Sequence, residues 1–161
     1  MASVIVWFPR GHSDKAMSTG ILAEELESLV TSAYRVEVAE ADGFTNVMIH
    51  DYPLPPSYNK QATTLLLRLP VSYPNGNPDM FWTEEDVLTT DGRIPSGADS
   101  VETYLGRRWR RFSWHPQGWN PGSGSMRMYL EFVDSGLAKA AKKASTWDDS
   151  DSESRAEISR S

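Results

Sequence analysis

The stretch from Pro70 to Pro121 constrains the fold more than any other part of the sequence. It contains six of the ten prolines and four of the six tryptophans of the chain. Proline removes a backbone donor and restricts one dihedral angle, so this stretch predicts neither a regular helix nor a long strand. Loops of such length in compact domains are usually functional or disordered, and the many aromatic side chains argue against disorder. We therefore expect a long irregular segment within the folded part of the chain.

Predicted helices and strands flank this segment. Apolar side chains recur at helical spacing in two places, first Leu22, Leu26, Leu29 and Ala33, and then Met126, Leu130, Val133 and Leu137. Strands are predicted at residues 34–39 and 44–50, around the turn dipeptide Asp42-Gly43, and at residues 63–69. Residues 4–8 are either an edge strand or an anchored arm. The order predicts an α+β fold: an N-terminal helix, an antiparallel meander of about four strands, the irregular segment and a C-terminal helix, with the helices against one sheet face.

The charge distribution separates a body from a tail. The chain has 161 residues, which fits one ordinary domain. Residues 145–161 contain five acidic and two basic side chains and show no periodicity. Such composition is typical of disordered segments, so we predict one domain over residues 1–144 and an acidic disordered tail over residues 145–161.

Several kinds of site and location are disfavoured by what the sequence lacks. The chain has no cysteine, which excludes disulfides, thiolate metal sites and a thiol nucleophile. Its three histidines, His12, His50 and His115, are far apart, so no metal site is predicted, and the aromatic residues at 73–82 are typical of core and turn positions rather than of a cofactor site. No stretch approaches the roughly 20 apolar residues of a membrane span, and the N-terminus has no basic leader. We expect a cytoplasmic protein without a cofactor.

Two stretches carry a family resemblance. They are LPPSYNKQATTLLLRLPVSYPNGNPDMFW, which contains Tyr73-Pro74, and GRRWRRFSWHPQGWNPGSGSMRMYLEFVDSGL, in which Trp119-x-Pro121 precedes the last helix. Together they resemble prokaryotic E2 family E, a bacterial branch of the ubiquitin-conjugating-enzyme superfamily. The resemblance implies the E2 fold and a role in transferring a ubiquitin-like protein. In such a pathway an E1-like partner activates the C-terminus of the carrier, and the E2 holds it as an ester.

The nucleophile of this superfamily is a cysteine, which the chain lacks. Three explanations stay open: the chemistry uses a serine, the protein is an E2-shaped binding module without catalysis, or a cysteine has been replaced in this chain. Ser113 is the nearest hydroxyl to the expected position, six residues before Trp119. A serine nucleophile needs a base, and His115 lies at i+2, on the same side of an extended segment. We therefore predict Ser113 as the acyl acceptor and His115 as its base or orienting residue, with Asp79, Asp91 and Asp99 as equal candidates to orient the imidazole.

Basic and aromatic residues alternate ahead of the last helix and predict a binding surface. We expect an acidic face of the E1-like partner or of the carrier to contact Arg107, Arg108, Trp109, Arg110, Arg111, Trp114 and Trp119. Arginines mixed with aromatic side chains also bind single-stranded nucleic acid by phosphate contacts and stacking. That alternative is disfavoured by the sequence pI of about 5.0 and by the absence of a recognisable nucleic-acid module.

Overall fold

A computed structural model describes residues 6–7, 20–32 and 34–160 of the chain. The two helices are α1 (Gly20–Thr31) and α2 (Met126–Arg160). The strands are β1 (Val6–Trp7), β2 (Arg35–Ala41), β3 (Phe44–Pro53), β4 (Ala62–Pro70), β5 (Phe81–Glu84), β6 (Ser100–Tyr104) and β7 (Arg107–Phe112). They form one sheet in the order β1-β2-β3-β4-β5-β7-β6, in which β1 is parallel to β2 and the other pairs are antiparallel. The predicted α+β fold class, with a helix at each end of a meander, is confirmed.

The predicted meander forms where its turn chemistry indicated. Asp42 and Gly43 both have left-handed φ angles, 57° and 79°, and connect β2 to β3 with Ala41 opposite Phe44. Two central residues of this kind give a turn whose twist matches that of the flanking strands. Residues 4–8 were predicted to form either an edge strand or an anchored arm. The two of them that are described, Val6 and Trp7, form an edge strand, because they pair with Val36 and Glu37 of β2.

The main core lies between one face of the sheet and the two helices. Strands β2 to β4 contribute alternate side chains, and the helices contribute the apolar side chains predicted at helical spacing. Leu22 and Ala33 of that prediction lie outside the described side chains. All residues from Thr63 to Leu69 are buried, since β4 is central and both of its faces are covered. A second, smaller cluster on the opposite face consists of Met48, Leu66, Trp82 and Trp109.

The segment from Pro70 to Pro121 is less irregular than its composition indicated. It contains the three short strands β5, β6 and β7, and the stretches before, between and after them lack regular structure. The hairpin of β6 and β7 turns at Leu105 and Gly106, with φ angles of 55° and 74°. Leucine is an unusual residue at a left-handed turn position, so this hairpin lacks the Asn-Gly or Asp-Gly signal that marks such turns in a sequence.

Helix α2 is longer than predicted. It continues to Arg160, so the backbone is helical where the sequence analysis predicted a disordered tail. Extending an existing helix adds one hydrogen bond per residue without a new nucleation step, and residues 145–161 contain neither proline nor glycine. A domain boundary at residue 144 stays a prediction. In the described part of the chain, neither helix combines the length and hydropathy needed to cross a bilayer.

Candidate functional site

The candidate site lies where β5 begins and β7 ends. Phe81 pairs with Phe112 across these antiparallel strands, and their rings stack with centroids 4.9 Å apart. This register places the residues just before Phe81 beside those just after Phe112. The segment around Ser113 is therefore brought next to a part of the chain more than thirty residues earlier.

His115 is held by a carboxylate. Its Nδ1 atom lies 2.7 Å from Oδ1 of Asp79, and both side chains are about half exposed. A carboxylate that accepts a hydrogen bond from Nδ1 fixes the tautomer in which Nε2 is free to accept a proton. Of the three aspartates considered from the sequence, the structure thus selects Asp79. Asp91 instead accepts a hydrogen bond from Thr89, and Asp99 is exposed.

Ser113 makes a different set of contacts. Its backbone N–H donates to the carbonyl of Gly97 at 2.8 Å, and its Oγ accepts a hydrogen bond from Nε of Arg111 at 2.9 Å. In the described structure no hydrogen bond joins Ser113 to His115. The prediction that they face the same side assumed an extended backbone, whereas β7 ends at Phe112.

Arg111 is itself fixed by a partly buried acidic residue. Its Nη1 donates to Oε2 of Glu102 at 2.6 Å, while Oε1 of Glu102 accepts hydrogen bonds from Trp82 and Tyr104. Burial disfavours the charged form of Glu102, but these hydrogen bonds and the charge of Arg111 outweigh it and lower its pKa. Glu102 is therefore a carboxylate at neutral pH and keeps the guanidinium against Ser113. A guanidinium only donates hydrogen bonds, so Arg111 stabilises negative charge on Oγ but does not remove its proton.

Two of the predicted partner-binding residues lie in the interior. Trp109 is fully buried and its Nε1 donates to the carbonyl of Tyr104 at 3.0 Å. Arg110 is only 9% exposed and donates to the carbonyls of Ala98 and Glu85. The prediction is corrected for both, because a side chain enclosed by the fold presents no surface to a partner.

The exposed arginines of β7 are neutralised by acids of the same sheet. Arg108 lies 3.0 Å from Glu85, and Arg107 lies 3.8 Å from Glu84 while its guanidinium covers the ring of Trp109 at 4.3 Å. With Arg111 on Glu102, each of these three cations has an acidic neighbour. The neighbouring acids thus lower the net positive charge that this strand presents to phosphates.

The two remaining predicted residues, Trp114 and Trp119, are half-buried and anchor the loop after β7. Nε1 of Trp114 donates to the carbonyl of Ser96, and Nε1 of Trp119 donates to that of Pro74, both at 2.9 Å. The ring of Trp119 also packs against Tyr73 and Tyr129, at centroid distances of 6.0 Å and 6.3 Å. The Tyr73-Pro74 and Trp119-x-Pro121 motifs are thus in direct contact.

Sequence reasoning missed Glu102 and did not single out Asp79. The available sequence signal for Asp79 was its place in the first of the two stretches that carry the family resemblance. In the structure it precedes Met80, which adopts a left-handed φ of 61° and accepts a hydrogen bond from Tyr129. Non-glycine residues with such backbone angles cluster at functional sites. Within the described residues, no three histidine, aspartate or glutamate side chains are grouped as ligands of a metal ion would be.

Comparison with known proteins identifies the family. The family model described as Prokaryotic E2 family E matches residues 21–140, which include six of the seven strands and the whole candidate site. Neither a curated protein nor a solved structure matches the chain. The match covers most of the chain and contains both motifs that carried the resemblance. The protein therefore belongs to prokaryotic E2 family E and is an E2-like protein.

Proposed function

We propose that the protein acts in the cytoplasm as the E2-like member of a bacterial ubiquitin-like conjugation pathway and accepts the carrier on Ser113 as an oxyester. Its partners are an E1-like activating enzyme and the ubiquitin-like carrier. The observation that supports this most directly is the Asp79–His115 pair, which is held two residues from a serine whose oxygen already receives a guanidinium hydrogen bond.

The transfer step follows from the chemistry of these groups. Oγ of Ser113 attacks the carbonyl carbon of the carrier's C-terminal thioester on the E1-like enzyme, and Nε2 of His115 takes the hydroxyl proton. The carbon–sulfur bond breaks, the thiolate takes the proton from the imidazole, and an oxyester links the carrier to Ser113. The exposed ring of His115 turns towards Ser113 while Asp79 stabilises its positive charge.

Arg111 has a separate role in this step. Its Nε–H points at Oγ of Ser113 before reaction and is fixed there by Glu102, so no rearrangement is needed when charge develops. This donor acts on the attacking oxygen rather than on the carbonyl oxygen of the carrier, so its role is to stabilise Oγ while the proton passes to His115. Ser113, His115 and Arg111 thus supply nucleophile, base and electrostatic stabilisation.

An adduct assay tests the proposal. The protein is mixed with an active E1-like enzyme, the carrier and ATP, and the products are separated after treatment with thiol reductant, hydroxylamine or alkali. We expect an adduct that survives reductant, is cleaved by hydroxylamine and alkali, and disappears in Ser113→Ala. The matched control is Ser123→Ala, because Ser123 is an exposed serine in the following loop. The absence of an adduct when wild-type protein is mixed with a demonstrably active E1-like enzyme would contradict the proposal.

A non-catalytic E2-fold binding module is the second candidate. It is favoured by one observation, namely that Oγ of Ser113 is bonded to a pure donor and not to the imidazole of His115. In that case the same surface holds the carrier or the E1-like enzyme without a covalent bond. Saturable binding of either partner by both wild type and Ser113→Ala, without any adduct, would establish this version.

A further inference from the structure

A pocket of about 290 Å³ opens directly beside the candidate site. Its lining includes Phe44, Arg68, Asn77, Trp82, Tyr104 and Arg111. Arg111 borders the pocket and also donates to Ser113, and the Asp79 that holds His115 lines it as well. Any group bound in this pocket therefore lies next to the proposed acyl acceptor.

Arg68 is a buried cation whose donors are incompletely used. The residue is only 9% exposed, and its Nε donates to Oδ1 of Asn46 at 3.0 Å. Its nearest acid is Asp42, 3.9 Å from Nη2, which is too far for a hydrogen bond. Across the described residues, neither terminal nitrogen of Arg68 has a hydrogen-bond acceptor. Buried donors in folded proteins nearly always have an acceptor, so these terminal nitrogens are suited to bind a group that enters the pocket.

Two aromatic rings fix the orientation of the Arg68 guanidinium. Its central carbon lies 4.3 Å from the ring centroid of Phe44 and 3.7 Å from that of Tyr104. Contacts with two rings restrict the position of the planar group, and its terminal nitrogens remain available for hydrogen bonds. A guanidinium held in this way matches the two oxygens of a carboxylate with little loss of conformational entropy.

The other charged groups around the pocket already have partners. Glu102 accepts hydrogen bonds from Arg111, Trp82 and Tyr104, and Asp79 accepts one from His115. The two carboxylates in the lining thus already accept hydrogen bonds, Glu102 from a guanidinium and Asp79 from an imidazole. Arg68 differs from them because its terminal nitrogens have no hydrogen-bond acceptor among the described residues, and a carboxylate is the group that fits such a guanidinium.

We propose that this pocket binds a carboxylate of an extended peptide, with Arg68 as the anchoring residue. Two sources offer this chemistry, an acidic side chain near the end of the peptide and a free C-terminal carboxylate. A volume of about 290 Å³ accommodates either of them. That the peptide is the C-terminal segment of the ubiquitin-like carrier rests on the proposed function, since Arg111 connects the pocket to Ser113. In that case the anchoring group is an acidic side chain of the segment, because the C-terminal carboxylate of the carrier is itself converted to the ester.

Binding of three labelled peptides tests the proposal. They are fluorescein-labelled octapeptides of otherwise neutral sequence: one with a single glutamate and an amidated end, one with glutamine instead and an amidated end, and one with glutamine and a free carboxylate. Fluorescence anisotropy at low salt gives their affinities. We expect at least one of the carboxylate peptides to bind about ten-fold tighter than the neutral peptide, and which one does so identifies the source of the carboxylate. Equal affinities for all three would overturn the proposal.

Variants of the pocket show whether Arg68 carries the preference. Arg68→Lys keeps the charge but lacks the planar fork, so the ten-fold preference falls to about two-fold or less. Because Arg68 is buried, thermal unfolding is measured alongside.

Asn77→Glu provides a test that does not depend on a core substitution. Asn77 is exposed and lines the pocket, and a new carboxylate there repels the ligand. Asn75→Glu is its control, since Asn75 is exposed two residues earlier but does not line the pocket.

The variant results and the adduct assay separate the two proposals. A loss of preference in Asn77→Glu but not in Asn75→Glu supports the pocket, and equal effects of the two substitutions contradict it. The peptide assay contains neither E1 nor ATP, so its failure leaves the oxyester proposal intact. Peptide binding without a Ser113 adduct would in turn leave the carboxylate pocket in place on a non-catalytic E2-like protein.

Discussion

Nδ1 of His115 lies 2.7 Å from Oδ1 of Asp79, although 36 residues separate them in the chain. The contact depends on the pairing of β5 with β7, which sets Phe81 opposite Phe112. Since the carboxylate occupies Nδ1, the other ring nitrogen is the one available for proton transfer. The pair is therefore the part of the candidate site with the clearest chemical role.

Removing the carboxylate charge from this pair should slow adduct formation. In Asp79→Asn the imidazole loses both its orientation and the group that stabilises its protonated form, so the initial rate of oxyester formation should fall by about ten- to a hundred-fold. Asp99→Asn is the matched control, because Asp99 is an exposed aspartate that makes no hydrogen bond to His115. Equal rates for the two variants would show that the pair has no catalytic role.

A thiol in place of the hydroxyl should change the chemistry of the adduct. Ser113→Cys is expected to form a thioester that thiol reductant cleaves, at the same position as the wild-type oxyester. A thiol, with a pKa near 8.5, ionises far more readily than a serine hydroxyl and needs a base less. His115→Ala should therefore slow the cysteine variant less than it slows wild type. A reductant-resistant adduct in Ser113→Cys would place the acceptor at another residue.

The packing of Trp119 should make Gly124 intolerant of a side chain. A Cβ at Gly124 would lie 2.5 Å from Cζ2 of Trp119, whose indole also donates to Pro74. Overpacking of this kind typically costs about 1–3 kcal/mol, so Gly124→Ala should lower the free energy of unfolding in urea by that amount. At Gly122 the nearest atom to such a Cβ is Oδ1 of Asn120 at 3.4 Å, an ordinary contact. Gly122→Ala should accordingly unfold close to wild type, and a smaller loss at Gly124 than at Gly122 would contradict the packing described.

The tyrosines should titrate only at strongly alkaline pH. Burial raises the pKa of all six above the usual value of 10.0, namely of Tyr34, Tyr52, Tyr58, Tyr73, Tyr104 and Tyr129. Nearby carboxylates add to the effect, such as Asp134 at Tyr52 and Glu25 at Tyr73. Because the folded-state pKa lies above the unfolded one, this stabilisation is complete below about pH 10 and is lost as the pH rises further.

Absorbance at 295 nm and circular dichroism, recorded over the same alkaline titration, check this expectation. The tyrosinate signal should remain small near pH 10 and then rise mainly as the fold is lost. A full tyrosinate signal near pH 10 from a protein with native circular dichroism would contradict the burial of these side chains.

Part of the candidate site was accessible from the sequence. The Trp119-x-Pro121 motif and the family resemblance located the segment with Ser113 and His115, and the match to residues 21–140 shows the family. The contacts within that segment were not accessible, since extended geometry was expected up to His115 but the strand ends at Phe112. Likewise, the alternation of arginines and aromatics did not indicate that Trp109 and Arg110 are both enclosed.

The sequence by itself determined those helices and turns that depend on interactions between residues close together in the chain. The apolar stripe of α2 and the Asp42-Gly43 turn depend on residues a few positions apart, so composition and spacing were sufficient to predict them. Only the tertiary structure decided which charges and hydrogen-bond partners meet. Asp79 reaches His115, and Arg111 reaches Glu102, through the register of paired strands. That register results from the burial of side chains far apart in the chain, which no local pattern records.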